Sequence, residues 1–340
     1  MSASAIQPIL RVRDLAVHFP VRVGGLFGRW KPLKAVDGVS FDIMAGETLG
    51  IVGESGCGKS TLGRAVLRLI PATAGQVVWL GDDLLTLEPD DMRRRRRDLQ
   101  IVFQDPLAAL DPRMTVGDIV AEPLVTFHPD LGGDEVRRRV RDMVAKVGLS
   151  PEMINRYPHE FSGGQCQRIG VARAMILRPK LIVCDEPVSA LDVSIQAQII
   201  NLLMALQREF GLSLIFISHN LSVVRHISHR VLVLYLGRVA ELAPRDELFA
   251  RPRHPYTQAL MAAAPVPDPR RERQKLRARL EGDPPSPLDP PSGCTFRTRC
   301  ARATEVCATA MPGLETVGPD GAAAQHHVAC YHWRDGFRNK

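Results

Sequence analysis

The most constraining feature of this 340-residue chain is one short segment, Gly53-Glu54-Ser55-Gly56-Cys57-Gly58-Lys59-Ser60. It has the spacing G-x-x-x-x-G-K-S, follows an apolar run at Thr48–Val52 and precedes a helix-like run at Thr61–Ile70. Glycines let such a loop curl so that backbone N–H groups and a helix N-terminus point at phosphate oxygens. Lys59 is then expected to reach the outer phosphates, and the Ser60 hydroxyl to ligate Mg²⁺. This phosphate loop predicts a nucleoside triphosphate site.

Strand-like apolar runs alternate with helical patterns, which predicts an α/β fold with a largely parallel sheet. The runs are Leu49–Val52, Gln100–Phe103, Leu181–Cys184, Leu214–Ile217 and Val231–Tyr235. An earlier segment, Leu10–Ile43, has the alternation typical of antiparallel strands, interrupted by an insert with Gly24, Gly25 and Gly28. Residues 231–242 predict a hairpin around Gly237-Arg238.

Composition and periodicity predict three parts. Strand signals are missing from Asp105 to Glu160, and Asp134–Val147 has apolar residues at helical spacing, so we expect a helical subdomain at about 105–178 within a domain spanning residues 1–264. Eight prolines lie between Pro265 and Pro291 and flank a charged segment, which predicts a linker at 265–292 with at most a short helix. The cysteine tail, residues 293–340, follows.

Several polar residues are placed at predicted strand ends, where open α/β sheets bind ligands. Asp185 ends a buried strand and suits a Mg²⁺ ligand, and the next residue, Glu186, is expected to accept a proton from the attacking water. Gln104 and His219 also follow strands; we expect Gln104 to orient water or metal and His219 to contact phosphate. The alternative reading is that these residues only cap helices or support the structure.

A second glycine-rich helix start, Ser162-Gly163-Gly164-Gln165, opens a helix predicted to run to about Leu177. Its serine hydroxyl and N–H groups suit an anion. It lies 103 residues after Lys59 (162 − 59) in the inserted subdomain, so we do not expect it to fold onto the same chain's phosphate loop. The simplest hypothesis is that it completes the site of a second chain; the alternative is a capped helix without a ligand.

In this order the motifs resemble those of the nucleotide-binding subunits of ATP-binding cassette (ABC) transporters. The resemblance covers roughly residues 9–264 and identifies Gln104 with the glutamine loop, Phe161–Gln165 with the signature segment and His219 with the switch histidine. Phe161 replaces the commoner leucine of that signature. The resemblance also identifies Ser189–Asp192 with the dimer-contact loop. The implied fold is a P-loop NTPase domain with an antiparallel β subdomain, an inserted helical subdomain and a small cysteine-bearing extension.

The same resemblance implies that two subunits bind head to tail around two ATP molecules, with Mg²⁺ held through Ser60, Gln104 and Asp185. An aromatic residue near the N-terminus usually stacks on adenine; Phe19 is the candidate and Trp30 the alternative. The other implied contacts to ATP come from the phosphate loop, the signature segment and two further residues, namely Gly53, Ser55, Gly56, Cys57, Gly58, Lys59, Ser60, Thr61, Ser162, Gly163, Gly164, Gln165 and Asp192.

Three further segments resemble the oligopeptide/dipeptide importer ATPases: Gln104–Arg113, Arg253–Thr257 and Pro290–Cys294. This implies an ATPase that drives peptide import from the cytoplasmic face of the inner membrane. The implied partners are a second, similar but distinct ATPase chain, two membrane permeases and an extracytoplasmic solute-binding protein. Relatives with this layout also serve nickel and other small solutes, so the same motor role for such a solute is the alternative.

Seven cysteines divide into two groups. Three lie within the core motifs, where a small buried apolar residue is expected (Cys57, Cys166 and Cys184). Four lie in the cysteine tail (Cys294, Cys300, Cys307 and Cys330) and suggest a metal, because a reducing compartment disfavours disulfides. Their spacing leaves a [4Fe–4S] cluster, zinc and no metal all open, with His326, His327 and His332 as alternative ligands. The resemblance to peptide importers favours the cluster.

Charge and hydropathy bound the remaining classes. The net charge of +7 includes the run Arg93–Arg97, for which a solvated helix face beside acidic residues is the simpler reading. An ABC ATPase acting on nucleic acid is the competing class; the long coiled coils or paired cassettes typical of that class are not seen, and no nucleic acid partner is expected. The sequence predicts neither a membrane-spanning segment nor an export signal.

Overall fold

Strands and helices alternate along the chain in the computed structural model, which describes residues 7–24, 28–263, 282–317 and 326–334. The strands are β1 (Leu10–Val23), β2 (Arg29–Ile43), β3 (Thr48–Val52), β4 (Ala74–Trp79), β5 (Asp82–Asp83), β6 (Leu99–Val102), β7 (Leu181–Asp185), β8 (Ser213–Ile217), β9 (Arg230–Tyr235), β10 (Arg238–Pro244), β11 (Glu315–Thr316) and β12 (His327–Val328). The α-helices are α1 (Lys59–Val66), α2 (Pro89–Arg95), α3 (Val116–Phe127), α4 (Gly133–Lys146), α5 (Gly163–Met175), α6 (Val193–Phe210), α7 (Leu221–Ile227), α8 (Arg245–Ala250), α9 (Pro255–Ala263) and α10 (Glu305–Thr309).

The chain divides into two units, which we name by their dominant elements. The helix-rich unit comprises Met1–Ile9, Ile43–Thr48 and Thr86–Ser218, and the strand-rich unit comprises Leu10–Asp42, Leu49–Leu85 and His219–Lys340. The helices of the predicted subdomain, about residues 105–178, fall in the same unit as β6, β7 and β8.

In the helix-rich unit three strands form a parallel arrangement in the order β8-β7-β6. Every residue of β7 and β8 is buried, as expected for continuous apolar runs in a parallel sheet. The predicted strands at residues 100–103, 181–184 and 214–217 are therefore present, each shifted or extended by one residue.

Helix boundaries in this unit follow capping groups. The Thr115 hydroxyl accepts a hydrogen bond from Asp118 N and starts α3, and Ser162 starts α5 in the same way. Helix α4 spans Gly133–Lys146 and ends before Gly148, which adopts φ +76°. Helix α5 ends at Met175 rather than near Leu177, and Arg178 is then left-handed with φ +52°.

The strand-rich unit contains two sets of strands. One is a sheet in the order β2-β1-β4-β5, in which β4 pairs antiparallel with both β1 and β5. In the other, the order is β11-β12-β10-β9-β3, with β3 parallel to β9 and β9 antiparallel to β10. The predicted hairpin is thus present; it turns at Leu236 and Gly237, both of which have positive φ.

Helix α1 differs from its prediction. It spans Lys59–Val66 rather than Thr61–Ile70, so it starts inside the phosphate loop. It ends early because Arg68 adopts φ +50°, which a continuing helix does not allow. The earlier start places the first helical N–H groups at Lys59 and Ser60.

The described part of the cysteine tail is docked on β10. Strand β12 pairs with β10, with Glu241 opposite Val328, and β11 pairs with β12. Glu241 is fully buried; its carboxylate accepts hydrogen bonds from the backbone N–H groups of Arg253 and His254, and His326 Nε2 lies 2.7 Å from its Oε1. One buried carboxylate therefore ties three segments together.

Some predicted features lie outside the described residues: most of the linker, with its charged segment, Gly25, and two parts of the cysteine tail (318–325 and 335–340). Among the residues that the structure describes, no helix is long and apolar enough to cross a bilayer. In the basic run Arg93–Arg97, Arg94 forms an ion pair with Asp91 on α2, so part of the charge of the run is neutralised locally.

Candidate nucleotide-binding and hydrolysis site

Close backbone approach explains the outer glycines of the phosphate loop. A Cβ on Gly53 would lie 2.2 Å from the carbonyl oxygen of Leu234, and a Cβ on Gly58 would lie 2.0 Å from that of Ala35. Gly58 also has φ +104° and is the residue before α1. Gly237 N donates to Cys57 O at 2.9 Å. The loop is therefore held in its curled form by neighbouring backbone.

Lys59 lies under the loop and is 5% exposed. Its Nζ donates to the carbonyl oxygens of Gly53 and Glu54, each at 3.0 Å. Ser60 and Thr61 are half-buried at the start of α1, whereas Ser55 and Gly56 are exposed at the loop tip. The arrangement leaves the tip accessible to an anion while the lysine amine is held within reach of the loop.

Glu186 follows β7 with a left-handed backbone, φ +46°. Its side chain is half-buried and its Oε2 lies 3.5 Å from Gln104 Nε2, at the limit of a hydrogen bond. Asp185, the last residue of β7, is 1% exposed. The ends of the adjacent strands β6 and β7 thus bring Gln104 and Glu186 together, as their positions at strand ends predict.

The signature segment presents an exposed helix N-terminus. Ser162 and Gly163 are exposed; Ser162 Oγ accepts a hydrogen bond from Gln165 N, and Gln165 Oε1 accepts one from Ser162 N. This capping box satisfies two of the helix's N–H groups within the chain. A Cβ on Gly164 would lie 2.5 Å from Ile195 Cγ2, whereas one on Gly163 would only touch Leu191 at 3.6 Å.

Asp192 caps the N-terminus of α6. Its Oδ1 accepts hydrogen bonds from Ile195 N at 3.0 Å and Ser194 Oγ at 2.7 Å, which caps α6. The hydrogen bond from Ser194, followed by that from Ile195, lowers the pKa of the carboxyl. The carboxylate is therefore ionised at neutral pH, next to the half-buried Ser189 and Leu191 and the exposed Ala190.

Three predicted residues lie in the strand-rich unit at exposed positions. His219 is exposed, next to Asn220, which caps α7. Phe19 on β1 is 37% exposed and Trp30 on β2 is 68% exposed, so each presents a ring surface. The structure holds the phosphate loop and these residues in one unit, and Gln104, Asp185, Glu186, the signature segment and Asp192 in the other.

The three core cysteines are buried, as expected. Burial raises the pKa of the Cys57 thiol to about 11 and that of Cys184 to about 12, and burial also raises the pKa of Cys166. Such thiols stay protonated at neutral pH and behave as small apolar groups.

The four cysteines of the tail are free thiols. Cys294 N donates to Cys307 O at 2.8 Å, so the segments that carry these two cysteines are in contact. Burial, with a contribution from the neighbouring thiols, raises the pKa of Cys294, Cys300 and Cys330. Within the described ranges, no group of three or more His, Cys, Asp or Glu side chains is arranged to hold a metal ion.

Long-range contacts to the phosphate loop are not indicated by any sequence pattern, and one of them comes from Tyr256. Glu54 N donates to the Tyr256 hydroxyl at 2.9 Å, and Tyr256 is fully buried. The only signal was its place within Arg253–Thr257, a segment noted for its resemblance to peptide-importer ATPases. Nothing in that pattern indicates a contact across 202 residues of chain.

Comparison with known proteins places these features in one family. The family model described as ABC transporter matches residues 36–189, and the model described as Oligopeptide/dipeptide transporter, C-terminal region, matches residues 240–307. The chain is 59% identical over 325 residues to the oligopeptide transport ATP-binding protein OppF of Escherichia coli (strain K12), covering 95% of both chains. It is 55% identical to OppF of Haemophilus influenzae over 95% of this chain and 96% of that protein.

Solved structures with the same fold are ABC cassettes. MJ0796, an ATP-binding cassette in a dimeric post-hydrolysis state bound to ADP and Pi, matches with a TM-score of 0.62 and 28% identity, covering 69% of this chain and 98% of that one. The cbiO1 protein of Clostridium perfringens, part of the cbiONQ transporter complex, matches with a TM-score of 0.61 and 28% identity, covering 72% and 91%. The chain therefore belongs to the ABC transporter ATPases, in the oligopeptide/dipeptide branch of that family.

Proposed function

We propose that this chain hydrolyses ATP to drive the import of di- and oligopeptides, working as a peripheral subunit at the cytoplasmic face of the inner membrane. The observation that carries the proposal is its 59% identity to an oligopeptide transport ATP-binding protein over 95% of both chains. The C-terminal match at residues 240–307 supports the choice of solute class, because the matching family model describes the C-terminal region of oligopeptide/dipeptide transporters.

The site residues take the following roles in this proposal. Backbone N–H groups of the phosphate loop bind the β- and γ-phosphates, and Lys59 leaves its two carbonyl partners to reach them. Phe19, with Trp30 as the alternative, stacks on adenine. Glu186 accepts a proton from the attacking water while Gln104 orients it, and His219 contacts the γ-phosphate. Asp192, with its dimer-contact loop, faces the second subunit.

Ser60, Gln104 and Asp185 supply oxygen donors that fit Mg²⁺, a hard cation with a preference for oxygen ligands. Bound there, Mg²⁺ would neutralise charge on the phosphates. The contribution of this chain is to hold a hydroxyl at the start of α1 and a carboxylate at the buried end of β7, where few water molecules compete for them.

The signature segment is proposed to grip the nucleotide of a second ATPase subunit, related to this chain but distinct, in head-to-tail contact. Its exposed Ser162 and Gly163 support this, because a Cβ on Gly163 would only touch Leu191 at 3.6 Å, so packing within the chain gives no reason for a glycine there. Two permeases and an extracytoplasmic solute-binding protein complete the proposed importer. Subunit counting in the purified complex distinguishes a mixed pair from two identical chains.

The four thiols of the cysteine tail are proposed to hold a [4Fe–4S] cluster, which requires four thiolate ligands. All four thiols are free, which supports this because a disulfide sulfur would not be available to bind iron. Anaerobic purification followed by iron and sulfide analysis tests the proposal: about four of each per chain is expected, and stoichiometric zinc or no metal would contradict it.

Uptake assays test the proposed solute. Cells lacking this chain are expected to lose uptake of labelled di- and oligopeptides and to regain it with the intact gene, but not with the Lys59→Ala variant. Nickel uptake should be unchanged. Loss of nickel uptake with intact peptide uptake would contradict the peptide assignment and leave the motor role in place.

A further inference from the structure

One carboxylate within the phosphate loop is bound by an arginine from the cysteine tail. Arg299 Nη1 donates to Glu54 Oε2 at 2.8 Å and Nη2 donates to Oε1 at 3.0 Å, which is a bidentate ion pair. The Arg299 side chain is 5% exposed and that of Glu54 is 24% exposed. Charge-assisted pairs of this geometry are among the strongest hydrogen-bonded contacts in proteins.

The segment that carries Arg299 is itself fixed in place. It is a 3₁₀ turn, Arg297–Arg299, that lies between Cys294 and Cys300. Phe296, 3% exposed, packs against Tyr256 with 5.4 Å between ring centroids, and Tyr256 accepts the hydrogen bond from Glu54 N. Side chain and backbone of Glu54 are thus both held from the C-terminal part of the strand-rich unit.

This support matters when a nucleotide arrives, an argument that rests on the proposed ATP-binding function. Lys59 Nζ now binds the carbonyl oxygens of Gly53 and Glu54. Once the amine moves to a phosphate, the loop loses both bonds. The contacts of Glu54 with Arg299 and Tyr256 do not depend on the lysine, so they can keep the loop in its binding shape and reduce the entropy cost of binding.

The charge of Arg299 is a second reason why its pairing with Glu54 favours nucleotide binding. A carboxylate in a loop that receives a triphosphate repels that ligand, and the repulsion grows where water is scarce. The guanidinium of Arg299 cancels this charge at hydrogen-bond distance. Without Arg299 the loop would carry the uncompensated charge of Glu54 beside the phosphates.

We propose that Arg299 is a positioning residue for the phosphate loop: it holds Glu54 in place and cancels its charge, so that the cysteine tail takes part in nucleotide binding. Tyr256 supports the same residue through its backbone. The tail is therefore part of the ATP site's supporting structure rather than a separate appendage.

The test compares ATP affinities of the full-length chain and its variants by displacement of a fluorescent ATP analogue. For Arg299→Ala we expect Kd for ATP to rise about tenfold, with kcat in the assembled transporter changed by less than about twofold. Arg299→Lys keeps the charge but not the bidentate geometry, so its Kd for ATP should lie between those of the unaltered chain and Arg299→Ala. The double variant Glu54→Gln with Arg299→Ala should recover part of the affinity lost in Arg299→Ala, because no uncompensated charge remains although the loop is still not held by Arg299.

Arg297→Ala is the matched control. Arg297 lies in the same turn but donates to Ser292 O at 2.9 Å, away from the loop, so Kd should stay within about twofold. The proposal is overturned if Arg299→Ala binds ATP as tightly as the unaltered chain, if Arg297→Ala weakens binding equally, or if the double variant shows no recovery. Failure of the unaltered chain to bind ATP would instead overturn the proposed function itself.

Discussion

At the scale of single residues, the backbone of Glu186 is notable because a non-glycine residue holds a left-handed conformation, φ +46°. Such a conformation costs about 1–3 kcal/mol and persists only where neighbours enforce it. Here Glu186 N donates to Ile217 O at 3.1 Å, and Ser189 donates to Glu186 O from both its N–H and its hydroxyl. The strain fixes where the carboxylate points after the strand ends.

Replacing this carboxylate tests its role as a base. Glu186→Gln keeps the size and shape of the side chain but removes the proton acceptor, so ATP should remain bound while single-turnover phosphate release falls about 10²–10⁴-fold. Phosphate release is measured in the purified transporter. Glu209→Gln, at an exposed residue paired with Lys146, is the control and should release phosphate at the normal rate. Normal hydrolysis by Glu186→Gln would remove this residue from the proposed role.

His254 makes a pH-dependent contribution to stability. Its burial lowers its pKa to about 4 from the ordinary value of 6.5, and its Nδ1 accepts a hydrogen bond from Tyr256 N at 3.0 Å. Below pH 6.5 the unfolded chain takes up a proton that the folded chain does not bind until about pH 4. The free energy of unfolding should therefore decrease as the pH is lowered from 6.5 to about 4, by at most about 1.4 kcal/mol per pH unit.

Denaturant unfolding between pH 7 and pH 4 measures this effect. His254→Asn offers an acceptor near the position of Nδ1 but does not titrate, so its unfolding free energy should show a shallower slope than that of the unaltered chain. An unchanged slope would show that the pH dependence comes from other groups.

At the scale of elements, the phosphate loop depends on backbone contacts that admit no side chain. Gly58→Ala would place a Cβ 2.0 Å from Ala35 O at φ +104°, so the loop must move. We expect a loss of about 1–3 kcal/mol in unfolding free energy and at least a tenfold rise in Kd for ATP. Gly46→Ala is the matched control, since Gly46 also has a positive φ, +72°, but open space around it. It should lower the unfolding free energy by about 1–2 kcal/mol and leave Kd for ATP unchanged. Equal ATP affinity in both variants would contradict this reading.

Local sequence patterns predicted strands and helices well where burial of apolar side chains decides the structure. The strands around Ile182 and Ile215 are recognisable as apolar runs, and α4 from its helical spacing, because burial decides both. The end of α1 at Val66 was not predicted: the left-handed residue Arg68 donates to Leu84 O, 16 residues away, at 3.0 Å, and composition does not record such a contact. The pairing of Glu54 with Arg299 spans 245 residues and follows from how the tail docks, which no local pattern records.

At the scale of the whole molecule, the proposed function calls for a second chain. The phosphate loop and the signature segment each lie at the N-terminus of a helix, and such a terminus suits an anion. The matching cassette MJ0796 was solved as a dimer. A site shared between two subunits would couple ATP binding and hydrolysis to the approach and separation of those subunits, and this movement would be passed on to the proposed permeases.

The most direct test of this shared site is ATP hydrolysis by the assembled transporter carrying Gly163→Asp. A Cβ at Gly163 fits within the chain, and an acidic residue in the first turn favours a helix, so unfolding free energy and ATP binding to this chain's own loop should not fall. The new carboxylate would repel a nucleotide held by the partner, and hydrolysis should drop at least tenfold; Gly170→Ala in the same helix should have no effect. Full-rate hydrolysis by Gly163→Asp would contradict the central claim that two chains share each nucleotide.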